Sequence, residues 1–356
     1  MIKIVLWTAL AAVLIVTAVM SGAIPINASS GHWRATAFLL DLTKRRSVDT
    51  HSFFITTPPL DDEALVMRGA GHYESGCASC HGSPAAPRPR LVMGMTPHPP
   101  FLTERIQRWL PRELFYIVKH GIKFTAMPAW PSHSRDDEIW AMVAFLRQLP
   151  RLDALGYRAL AFSAETNPVD SLLSDARVEA RDATIERCNR CHGPNGQGRG
   201  VAAFPRLAGQ KAEYLARALR AYARQERRSG MMIPIAASLD DTAVRQVADY
   251  YASRPAATSL ESHDPAAIAR GAAIVLGGIP AQDVPPCRAC HVDGSESRNP
   301  AYPRLAGQFA EFLRLQLQLF AEGRRGGSPY GEVMRPIAAR LTDEQRREVA
   351  AYFSSR

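Results

Sequence analysis

All six cysteines of this 356-residue chain fall in three Cys-x-x-Cys pairs, and each pair is followed at once by histidine. The motifs read Cys77-Ala78-Ser79-Cys80-His81, Cys188-Asn189-Arg190-Cys191-His192 and Cys287-Arg288-Ala289-Cys290-His291. A disulfide framework rarely gives every cysteine the same short spacing, so the pattern implies three copies of one piece of chemistry. Zinc takes four ligands, often from two such pairs, and three pairs with one adjacent histidine each do not divide into such sites. A thioredoxin-like redox pair belongs to an α/β context. No segment here alternates long enough to argue for a sheet.

Cys-x-x-Cys-His is the attachment signature of c-type haem. Cysteines three apart on a helical turn share a face, so both thiols reach one edge of a porphyrin and the next residue points its imidazole at the iron. The chain is therefore expected to carry three covalently bound haem c groups. Cys77, Cys80, Cys188, Cys191, Cys287 and Cys290 supply the thioethers, and His81, His192 and His291 the proximal iron ligands. A methionine as sixth ligand raises the haem potential and fills the remaining position. Met127, Met232 and Met334 are the candidates, lying 46, 40 and 43 residues after their histidines. Met232 and Met334 each stand seven residues before a leucine in matching contexts, which selects Met232 over Met231. Met93, Met95, Met142 and Met231 read as core filler. His72, His98, His120 and His133 are rivals to Met127.

The second half repeats itself. Phe204-Pro205-Arg206-Leu207-Ala208-Gly209-Gln210 recurs as Tyr302-Pro303-Arg304-Leu305-Ala306-Gly307-Gln308, and Pro234-Ile235-Ala236-Ala237 as Pro336-Ile337-Ala338-Ala339. The offset is 98 residues at the first match and 102 at the second, too long for a solenoid repeat and right for a duplicated domain. Helix-like stretches precede each motif (61–75, 175–187, 265–276). Amphipathic helices opening on acidic residues close each unit (136–149, 240–253, 342–354). The expected architecture is all-α, with three small units in tandem behind an N-terminal transmembrane helix. Its segments are an anchor or signal peptide at 1–23, a connecting segment with a surface helix at 24–60, units at 61–152, 175–256 and 261–356, and a linker at 153–174. The short second linker suits a tight pairing of units two and three. The longer first linker leaves slack around a semi-independent unit one.

Residues Ile4–Ala23 are apolar apart from Thr8, Thr17, Ser21 and Gly22. That run is long enough to span the hydrocarbon core, while Ser21-Gly22-Ala23 would serve as a signal-peptide cleavage site. Either way the remainder is exported. Residues 31–54 form either an amphipathic helix on the membrane surface or a helix packed on the first unit. The formal net charge of +9 admits nucleic-acid binding. The arginines are scattered along helices, however, and three haems would add roughly six propionate charges, so no nucleic-acid partner is expected.

These residues resemble class I c-type cytochrome domains. Residues 175–356 resemble diheme cytochromes of the c4 type, through the Pro-Arg-Leu-Ala-Gly-Gln and Met-x-x-Ile-Ala-x-x-Leu signatures. In that family a proline carbonyl accepts a hydrogen bond from the proximal imidazole, which implies this role for Pro205 and Pro303; in unit one Pro87 and Pro89 are the candidates. Residues 61–150 resemble the cytochrome domains of cbb-type oxidase subunits and dehydrogenase-associated cytochromes, through Gly121-Ile122-Lys123, Met127-Pro128-Ala129-Trp130 and Glu138-Ile139-Trp140-Ala141. The resemblance implies an electron carrier rather than an enzyme, anchored in the inner membrane with its haem domains in the periplasm. It would relay electrons in a respiratory chain to or from a membrane oxidase, with a soluble donor or acceptor as second partner. The alternative is the cytochrome subunit of a membrane dehydrogenase acting on an alcohol, aldehyde or sugar acid. A diheme-type peroxidase needs an open sixth site, against which the three methionines argue.

Overall fold

The computed structural model describes residues 2–24, 26–162, 180–199, 202–256, 264–291, 299–327 and 329–356. Among the described residues the regular structure is helical, with only three isolated β-bridges. Helix α1 (Ile2–Met20) has 19 residues, a mean hydropathy of 2.4 and no buried residue. At 1.5 Å per residue it is about 28 Å long, close to the thickness of a hydrocarbon core. A signal sequence near the N-terminus would have the same character. The helix stops just before Gly22, whose φ of +70° ends it at the small-residue stretch. In α2 (Arg34–Ser52) the first half exposes Phe38 and Leu39, while Val48 and Ser52 at the far end are buried. There His51 stacks on Tyr116 of unit one.

Unit one is built from α3 (Glu63–Gly76), α4 (Pro111–His120), α5 (Asp136–Gln148) and α6 (Ala154–Ala161). Asp62 caps α3 by accepting from the Leu65 N–H at 2.7 Å. Helices α3 and α5 cross at Gly69. A Cβ built there would sit 2.1 Å from the Ala141 carbonyl oxygen. Unit three repeats this crossing, with Gly271 against the Glu348 carbonyl. Gly69→Val must force α3 and α5 apart, at a cost of about 1–3 kcal/mol. For a unit of this size the Tm should fall by on the order of 5–20 °C, read by circular dichroism; an unchanged Tm would rule out this crossing.

Unit two comprises α7 (Ala180–His192), α8 (Ala212–Ala223), α9 (Met232–Ala237) and α10 (Asp241–Ala252). Unit three comprises α11 (Pro265–Gly277), α12 (Ala310–Ala321), α13 (Tyr330–Arg340) and α14 (Asp343–Ser354). Asp240 caps α10, and a Thr342–Gln345 capping box opens α14. The closing helices lie where the acidic starts put them. Residues 175–179, expected to begin α7, lie outside the described residues.

The repeated signature is explained by the interface between units two and three. The Gln210 side chain accepts from the Arg304 N–H at 2.8 Å and donates to the Arg304 carbonyl at 2.9 Å. Gln308 does the same with Arg206, at 3.0 and 2.9 Å. The Arg206 guanidinium lies 4.0 Å above the Phe309 ring.

Unit one departs from the expectation of slack. Residues 154–161, placed in the linker, form α6 on the flank of α3. Tyr157 is fully buried there and donates to Glu74 at 2.5 Å. Arg199 of unit two donates to the carbonyls of Ala159, Leu160 and Phe162 at 2.8–3.0 Å. A cation at the negative end of a helix is favourable, and the exposed carbonyls gain their partners. Arg68 reaches the Ala203 carbonyl at 3.1 Å, and Arg190 reaches Ser75 at 2.9 Å. Unit one is thus bonded to unit two. The rest of the first linker (163–174) and the whole of the second (257–260) lie outside the described residues.

Candidate haem sites

Each motif lies on a helical turn in which the histidine follows its first cysteine by four residues. The His81 N–H donates to the Cys77 carbonyl and the His291 N–H to the Cys287 carbonyl, both at 2.9 Å. In units one and two the preceding helix runs into the motif. In unit three α11 stops at Gly278, and a loop closed by the Ile279–Val284 bridge precedes Cys287.

Each imidazole is oriented through Nδ1 by a proline carbonyl: Pro100 for His81 at 2.9 Å, Pro205 for His192 at 2.9 Å and Pro303 for His291 at 3.1 Å. Such a bond fixes the ring and leaves Nε2 for a metal. In unit one the carbonyl belongs to Pro100, not to Pro87 or Pro89. It lies 19 residues from its histidine, against 13 and 12 in the other units. Burial pushes all three imidazoles down in pKa, favouring the neutral form that binds iron. Burial also pushes Cys77 up to about 12, and Cys188 and Cys287 up to about 11.

One continuous cavity of about 1920 Å³ is lined by all six cysteines, the three motif histidines, Met127, Met232 and Met334. A drug-sized ligand site spans ~300–1,000 Å³, so the space suits more than one large group. Met127 sits in a loop closed by the bond from the Ile122 N–H to the Met127 carbonyl at 3.2 Å. Met232 opens α9, and Met334 lies within α13. His72, His98 and His120 also line the cavity, whereas His133 does not. Met142 is buried in the core, but Met93, read from sequence as core filler, is exposed because its short helix Arg90–Met93 lies on the surface.

Between units two and three the cavity wall carries Arg227 and Arg325, only 7% and 9% exposed. They occupy equivalent repeat positions, 98 residues apart, over the rings of Tyr222 and Phe320 at 4.6 and 4.3 Å. Their side chains bond Tyr214 and Gln316, and among the described residues neither is paired with a carboxylate. Burial and the neighbouring Arg227 push Arg325 down to about 10. Two buried guanidinium groups facing a large apolar cavity fit the propionates of a haem. A haem held there takes up and releases one electron at its iron. The repeat offset was a signal in the sequence that would have singled these arginines out.

Helical units, haem-binding motifs and a shared cavity define a covalent haem carrier. Residues 64–146 and 179–250 match the family described as cytochrome c oxidase, cbb3-type, subunit III. The thiosulfate dehydrogenase electron acceptor of Stutzerimonas stutzeri (strain A1501) is 32% identical over 201 residues, covering 56% of this chain and 92% of that protein. Its counterpart in Thiomonas intermedia (strain K12) is 34% identical, covering 47% and 77%. Cytochrome c4 of Thiocapsa roseopersicina is 35% identical, covering 47% and 85%. The chain belongs to the c-type cytochromes of the diheme c4 kind, and beside its c4-like half it carries a further cytochrome unit resembling those of cbb3-type oxidases. It is a multihaem electron-transfer protein with covalently bound haem c.

Proposed function

We propose that the chain carries three haems, one per motif, with His81/Met127, His192/Met232 and His291/Met334 as axial pairs, and that it relays electrons on the outer face of the inner membrane, held there by α1. The single observation that carries this reading is the continuous cavity touching all three motifs. Helix α3 runs against the second motif, where a Cβ at Gly71 would lie 3.4 Å from the Cys191 sulfur. Haems one and two would then be neighbours in a path running through units one, two and three. The likeness to thiosulfate dehydrogenase electron acceptors favours a soluble dehydrogenase as donor to the c4-like pair. A membrane oxidase would be acceptor at unit one.

The test uses full-length holoprotein added to membranes depleted of it. With a thiosulfate-oxidising dehydrogenase and thiosulfate, all three haems should reduce rapidly and oxygen uptake should return. Removing residues 1–23 should cut that uptake by about tenfold or more through loss of effective concentration. Haem reduction by a quinol-linked membrane enzyme, with none by the dehydrogenase, would overturn this direction of flow.

A further inference from the structure

The three units meet at the first turn of α5. Glu138, 4% exposed, accepts from the Ser229 hydroxyl at 2.6 Å, the Gly230 N–H at 2.6 Å and the Trp130 indole N–H at 3.2 Å. It pairs with Arg135 at 3.0 Å. Arg135 in turn donates to the Arg228 carbonyl at 2.6 Å and grips Asp137 at 2.8 Å. Arg324 of unit three binds Asp136 at 3.0 Å beside them.

A buried carboxylate is costly unless fully satisfied, and Asp136 and Asp137 already give α5 its acidic start. Glu138 is therefore not needed to cap its own helix. Its partners come instead from the segment leading into α9. The Ser229 hydroxyl it holds accepts from the Met232 N–H at 3.1 Å. On the other side, Trp130 ends the Met127 loop, with its backbone N–H bonded to the Lys119 carbonyl at 3.1 Å. Gly230 lies against the same indole, so closely that a Cβ there would be 2.0 Å from its nitrogen. The two methionine loops thus share one carboxylate.

We propose that Glu138 is a positioning residue for the second haem: by fixing Ser229 and Gly230 it sets the approach of Met232 to the iron, so the potential of that haem is controlled from unit one. This rests on Met232 being the ligand proposed above. A looser methionine binds iron less strongly and lowers the potential.

The experiment compares full-length holoproteins carrying Met232→Ala, Glu138→Ala, Glu138→Gln, Ser229→Ala and Asp136→Asn. It reads the near-red sulfur-to-iron charge-transfer band of the oxidised protein and the three midpoint potentials. Met232→Ala should remove one third of the band and identify the midpoint of haem two. An intact band there would overturn the ligand assignment and this inference with it. Glu138→Ala and Ser229→Ala should weaken that same third and lower that same midpoint. Glu138→Gln, which keeps an acceptor for Gly230, should fall between wild type and Glu138→Ala. Asp136→Asn breaks the Arg324 contact in the same junction and should leave the band as it was. Unchanged potentials in Glu138→Ala and Ser229→Ala would reduce Glu138 to an inter-unit tie and overturn the proposal. An equal shift in Asp136→Asn would overturn it too, because general loosening of the junction would then suffice.

Discussion

Replacing Met127 by alanine is expected to remove one third of the sulfur-to-iron band and to lower one midpoint by several hundred millivolts, and the same holds for Met334. Axial-ligand identity sets haem potentials over about 0.8 V, and methionine lies at the high end. Each 59 mV is a factor of ten for one electron, so a displaced haem would stop a relay and not merely slow it. Met127 is the most informative position. Its loop is held by Thr125, which donates to the Ile122 carbonyl at 2.7 Å and accepts from the Met127 N–H at 3.1 Å, so alanine leaves the loop itself bonded. A band left intact by Met127→Ala would pass the ligand role to His72, His98 or His120, which share the cavity wall.

The double substitution Cys77→Ala/Cys80→Ala should leave two covalent haems per chain, measured as haem stoichiometry in alkaline pyridine and as a mass loss of one haem. Its second effect is on folding. Tyr73, Leu114, Phe145 and Tyr157 pack around this end of unit one, and an empty haem site leaves a void that costs on the order of several kcal/mol. Unit one should therefore become protease-sensitive while the c4-like pair keeps its spectrum. Three haems retained after the double substitution would contradict attachment at this motif.

The cysteine motifs, the duplicated halves and the closing helices were legible because they are local: fixed spacings, repeated words and acidic helix starts. What was not legible depends on contacts distant in sequence. Residues 154–161 look like linker by composition, yet Tyr157 finds Glu74 and the end of α6 finds Arg199, 37–40 residues away. Pro100 was missed because a longer loop separates it from His81, and nearer prolines stood in its place. Glu138 reads in sequence as an acidic residue at a helix start within the Glu138-Ile139-Trp140-Ala141 stretch, with nothing there to name its partners. Only the fold puts it 91 residues away against Ser229.

The reciprocal amide contacts of Gln210 and Gln308 have a consequence for assembly. Each half offers its partner the same patch it receives, which is the geometry of an isologous dimer written into one polypeptide. Two separate molecules would need an apolar interface to stay together at cellular dilution. Tethered halves meet at an effective concentration of about millimolar, so an intrinsic attraction of ~4 kcal/mol already closes about half of them and ~7 kcal/mol closes nearly all. A few amide hydrogen bonds and an arginine on a phenylalanine then suffice, and the apolar surface of each half remains free to line the haem cavity.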